Sequence, residues 1–66
     1  MPRNTREWAH RKLDMATGNL DTSQRHLLEV IDKYLELHPE IASPLHETMQ
    51  AIDLLKPLIT AVRKMI

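Results

Sequence analysis

Two apolar stripes, each recurring at alternating steps of three and four residues, run through most of the chain and leave it few folds to choose from. The first passes through Leu13, Ala16, Leu20, Ser23, Leu27, Val30, Tyr34 and Leu37, and at that spacing the side chains share one side of a continuous helix. Leu28, Ile31 and Leu35 widen it toward its end. The second passes through Ile41, Leu45, Thr48, Ile52, Leu55, Ile59, Val62 and Ile66, with Thr48 its only polar member. His38-Pro39 separates the two, because proline disfavours helix in the residue before it. Strands find no support: Phe is absent, β-branched residues never alternate with polar ones over a useful run, and leucine is the commonest residue with ten copies.

The expected fold is therefore all-α, a single domain over residues 1–66 built as a long antiparallel helical hairpin. The first helical segment should cover about residues 4–37, the turn about 38–43 and the second segment about 44–66. Ser43-Pro44 reads as a helix start, a capping hydroxyl followed by proline at the first helical position. Pro57 falls inside the second pattern and removes one backbone hydrogen bond, which predicts a bend there or a short separate C-terminal helix. The weak stretch is residues 17–23, where Thr17, Gly18, Asn19, Asp21, Thr22 and Ser23 are poor interior helix formers. Either one long helix carries this patch, or Gly18 ends a first helix and Asp21 caps a second with Gln24 three residues on, which would make three helices.

Sixty-six residues without a cysteine can use neither disulfides nor a thiolate zinc site to strengthen a small core. A chain of this length buries only about 60% of its unfolded surface and leaves little room for an enclosed catalytic cleft. The apolar surface is nevertheless in surplus. Ala51, Leu54, Leu58, Ala61 and Met65 form a stripe beside the second seam, and together they cover roughly half the helix circumference, more than the stripe of about 100° that one neighbour needs. A lone hairpin cannot cover both, so the expectation is a homodimeric helical bundle, with part of the surplus free for another protein. Leu27, Val30, Ile31, Tyr34, Ile52, Leu55, Ile59 and Val62 are the candidate self-association residues, and Trp8, Arg11, Leu58 and Met65 the candidate partner-binding residues.

Charge falls into three blocks: residues 1–12 sum to +3, residues 13–55 to −6 and residues 56–66 to +3. In a hairpin the two basic blocks lie side by side and Glu36, Glu40 and Glu47 lie near the turn. Two hairpins packed antiparallel would set each basic end against the other's acidic turn, whereas a parallel pair would stack like charges.

Reactive chemistry has little support. The histidines, His10, His26, His38 and His46, match no closed zinc spacing, and the order of Glu and His does not supply the Glu-x-x-His pairs of a di-iron bundle. Ser23 lies on an apolar seam and Ser43 in a capping context, neither flanked by the glycines of a nucleophile elbow, and no glycine-rich loop is present to hold phosphate. The reading is a non-enzyme without metal or cofactor. A nucleic-acid alternative rests on Trp8 among Arg3, Arg6, Arg11 and Lys12. Against it, the middle helical stretch sets Glu29, Asp32 and Glu36 against Arg25 and Lys33, an anionic face for an anionic groove. The longest uncharged run near the C-terminus, residues 57–62, is far short of the roughly 20 residues that span a bilayer, and the N-terminus has no secretory pattern, so the expected setting is cytoplasmic. The sequence thus points to a small regulator, adaptor or inhibitor that acts by presenting a helical surface.

Overall fold

A computed structural model describes residues 5–66. Arg3, a member of the basic N-terminal cluster, and the expected helix start near residue 4 lie outside the described residues. Helix α1 spans Thr5–Tyr34, a short 3-10 helix spans Pro39–Ile41, and helix α2 spans Ala42–Met65. The described residues are all-α, with the two long helices running antiparallel side by side. The hairpin measures 54 × 16 × 12 Å, which is two helices wide and one helix thick.

Helix α1 does not break at Gly18, so the three-helix alternative is not what forms. Gly18 has an ordinary negative φ and nothing within 4 Å of where a Cβ would sit. Four of the polar residues around it are used within the helix or across the hairpin. Thr17 Oγ1 donates to the Leu13 carbonyl at 3.1 Å, and Thr22 Oγ1 to the Gly18 carbonyl at 3.1 Å. Asp21 pairs with Lys56 of α2, and Gln24 reaches α2 through hydrogen bonds described below. Packing across the hairpin thereby overrides weak local propensity.

The turn forms a little earlier than the residue pattern suggests. The Tyr34 carbonyl accepts from both the Leu37 amide at 3.0 Å and the His38 amide at 2.7 Å, which ends α1. His38 then takes φ −141° and ψ 75°, away from the helical region as a following proline demands. Pro39 opens the 3-10 helix, and the Ile41 amide donates to the His38 carbonyl at 3.1 Å. That helix runs straight into α2, so Ser43 lies inside the first turn and does not cap it; Ile41 holds the capping position with no side-chain hydrogen bond. The expected logic of a proline-led start holds, but at Pro39 in place of Pro44. At the other end, α2 continues through Pro57 to Met65 as one helix, and no separate C-terminal helix forms.

The seam between the helices differs from the apolar stripes in an informative way. Ile31, 6% exposed, is the one buried apolar side chain among the described residues. Half-buried beside it are Leu13, Thr17, Leu20, Gln24 and Leu27 of α1, and Leu45, Met49, Ile52, Lys56 and Ile59 of α2. Gln24 and Ile31 thus stand where the stripe has Ser23 and Val30, and Met49 and Lys56 stand where it has Thr48 and Leu55. At 100° per residue, each apolar stripe is turned by roughly 50° from the direction of the neighbouring helix. Both turn toward the same face of the hairpin.

Candidate interaction site

The two faces of the hairpin are chemically unlike. Along one, acidic residues of α1 meet basic residues of α2. Arg63 Nε donates to Asp14 Oδ1 at 2.9 Å and Nη2 to Asp14 Oδ2 at 3.4 Å, a two-pronged pair. One heptad further along, Lys56 pairs with Asp21, donates to Gln24 Oε1 at 2.6 Å and lies 3.6 Å from Asp53. Gln24 Nε2 in turn donates to the Met49 carbonyl at 2.9 Å and to Asp53 Oδ1 at 2.8 Å. The hydrogen bond to Asp21 is the main influence raising the Lys56 ammonium above its ordinary 10.5; partial desolvation opposes it, and the charges of Asp21 and Asp53 add to it. These contacts fix which residues of α1 and α2 stand level with one another.

The opposite face is open and apolar. A groove of about 490 Å³ runs between the helices, lined by Leu13, Ala16, Asn19 and Leu20 of α1 and by Leu55, Leu58, Ile59 and Val62 of α2. Asn19 is its one polar lining residue and no ionisable group lines it. Leu55 and Val62 are 46% and 45% exposed there, a high fraction for aliphatic side chains that point between two helices. A smaller recess of about 180 Å³ lies near the start of α1 between Trp8, Arg11, Lys12 and Met15.

The self-association candidates divide between these environments. Leu27, Ile31, Ile52 and Ile59 are partly or wholly covered within the hairpin, whereas Val30, Tyr34, Leu55 and Val62 remain exposed. Among the partner-binding candidates, Trp8 and Arg11 share the small recess and Leu58 lines the large groove. Met65, 84% exposed, lines neither of these two hollows. The residues that the stripes do not reveal are Asp14, Asp21, Gln24, Lys56 and Arg63. A signal for most of them is present in the sequence: Asp14 and Asp21 are seven apart on α1, and Lys56 and Arg63 seven apart on α2, which places opposite charges on matching turns of antiparallel helices.

Two of the histidines make local polar contacts, and the Nε2 of His10 is buried without a hydrogen-bond partner among the described residues. His26 Nδ1 lies 3.5 Å from Glu29 Oε2, and His38 Nδ1 lies 3.2 Å from Glu40 Oε1. The Tyr34 and His38 rings stack at 6.4 Å across the start of the turn. No cluster of three or more His, Asp or Glu side chains suited to a metal ion occurs among the described residues. No helix among them is long and apolar enough to cross a membrane. Comparison with protein-family models, curated proteins and solved structures found no match. The functional reading therefore rests on the geometry of the two faces.

Proposed function

We propose that this chain is a small non-enzymatic helical interaction module, a regulator, adaptor or inhibitor that works as a homodimer in the cytoplasm and presents its remaining surface to another protein. The observation that carries the reading is the shape of the hairpin together with its open face. Its radius of gyration is 16.0 Å, against about 11 Å for a compact chain of this length. Its accessible surface is 5467 Å², about 1,100 Å² more than the roughly 4,300 Å² of a compact chain of this size. Such an excess exceeds the roughly 800 Å² that each partner contributes to a standard protein interface. The lining of the groove supports a binding role over catalysis, since chemistry of the usual kinds needs titratable groups in the cleft.

Sedimentation equilibrium across a micromolar range tests the proposal, with thermal melts at the same concentrations. The expected result is a dimer whose melting temperature rises with concentration, because association stabilises the folded state by mass action. A compact monomer with a concentration-independent melt would overturn the reading.

One observation favours a second reading, in which the start of α1 binds nucleic acid. Trp8 is exposed beside Arg11 and Lys12, an aromatic surface flanked by cations that suits stacking on an unpaired base. Single-stranded oligonucleotide binding that weakens steeply with salt and is lost in Trp8→Ala would support it. Absence of binding at low salt would exclude it.

A further inference from the structure

We infer that the occupant of the open face is a second copy of this chain, laid antiparallel so that α1 packs on α1 and α2 on α2 about one twofold axis between Leu20 and Ser23. The inference rests on the homodimer reading and specifies its geometry. Three observations carry it.

The first is the turn of roughly 50° between each apolar stripe and the neighbouring helix. In a four-helix bundle each helix has two neighbours at about a right angle, and its apolar stripe points between them toward the bundle axis. A stripe that served only the hairpin would face the other helix squarely. Here both stripes point midway between the neighbour already present and the open face.

The second is size matching along α1. A dyad between Leu20 and Ser23 sets Ser23 of each copy against Leu20 of the other, Ala16 against Leu27, Leu13 against Val30 and Ala9 against Tyr34. Three of these four pairs join a small side chain to a large one, the arrangement that lets two antiparallel helices interdigitate without voids. The corresponding centre of the α2 stripe lies between Ile52 and Leu55. The cross-helix contacts of Asp21 with Lys56 and of Gln24 with Asp53 place these two centres about 3 Å apart in height along the hairpin, less than one helical turn. One axis therefore passes close to both.

The third is charge. One end of the hairpin carries Arg6, Arg11, Lys12 and Lys64, and the turn end carries Glu36, Glu40 and Glu47. The antiparallel dyad brings each basic end alongside the other copy's acidic turn, whereas a parallel dimer would set like charges together.

Single-cysteine variants at exposed positions, Arg6→Cys and Glu40→Cys, test the arrangement in a chain that has no cysteine of its own. With donor and acceptor dyes both on Glu40→Cys, the two labels of an antiparallel dimer should stand on the order of 50 Å apart, from 1.5 Å of rise per residue on either side of the dyad. In a mixture of labelled Arg6→Cys and Glu40→Cys chains, transfer between copies should be efficient, with separations of about 10–20 Å. The reverse pattern would overturn the antiparallel arrangement while leaving the homodimer intact; a monomer at all concentrations would remove both.

A double-variant cycle supplies a second measurement. Ala9 and Tyr34 are 25 residues apart on one helix, roughly 37 Å at 1.5 Å per residue, and cannot touch within a copy. Ala9→Tyr and Tyr34→Ala should each weaken dimerisation about tenfold, and the double variant should recover most of the loss. Strictly additive losses would overturn the proposed register.

Discussion

The two faces of this hairpin use the same helices to opposite ends. On the polar face, Asp14 with Arg63 and Asp21 with Gln24, Lys56 and Asp53 complete one another within a single chain. On the apolar face, Leu55, Leu58 and Val62 line a groove that nothing among the described residues fills. The polar face specifies how α1 and α2 are aligned, since hydrogen-bond geometry tolerates little sliding. The apolar face can supply the larger share of stabilisation, because burial of leucine and valine outweighs exposed ion pairs. A chain with a single buried side chain among its described residues thus has its alignment settled internally while Val30, Tyr34, Leu55 and Val62 stay exposed.

The contrast can be broken most sharply at Leu55. Leu55→Asp should weaken dimerisation more than 100-fold, about 3 kcal/mol, by placing a carboxylate in an apolar contact. Sedimentation velocity at matched concentrations reads this directly, and an unchanged dimer would show that the groove is not the contact surface. On the other face, Gln24→Ala removes the acceptor of Lys56 and the donor to Met49 and Asp53, and should cost about 1 kcal/mol in chemical denaturation without altering the order of assembly. A loss of dimer in Gln24→Ala beyond that explained by stability would mean the two faces are not separable.

Gly18→Ala should move stability the other way. The position is helical, φ is negative and no atom lies near the missing Cβ, so alanine should add about 0.5–1 kcal/mol and raise the melting temperature. The smallest effect belongs to pH. The folded-state value of Lys56 is raised above the ordinary 10.5, so its contribution is fully present below that value and is lost as pH rises through the folded-state value. Melts between pH 9 and pH 12 should therefore show a decline on the alkaline side that is reduced in Lys56→Met.

Much of the fold is legible in the residues and the missing parts have physical causes. The two heptad stripes and His38-Pro39 give the helices and the turn, because apolar periodicity and proline geometry are local properties. Continuity through residues 17–23 is not local. It follows from Asp21 and Gln24 finding partners on α2, while the Thr17 and Thr22 hydroxyls are satisfied within α1. The start of α2 is displaced because the 3-10 helix at Pro39 takes over the role assigned to Ser43. The candidate site is partly legible. An apolar stripe records every neighbour a helix has, within the chain or outside it, so Leu27, Ile31, Ile52 and Ile59 could not be told apart from Val30, Tyr34, Leu55 and Val62 by spacing. The charged partners Asp14, Asp21, Lys56 and Arg63 are visible only when their seven-residue intervals on the two helices are compared, and block charge sums conceal them.

Pro57 contributes no amide proton, so the rung that would join it to the Asp53 carbonyl is missing from an otherwise continuous α2. Loss of the last turns would break the Arg63–Asp14 pair, yet Asp21, Gln24 and Asp53 hold Lys56 on the near side of that gap, so the hairpin keeps a second point of alignment.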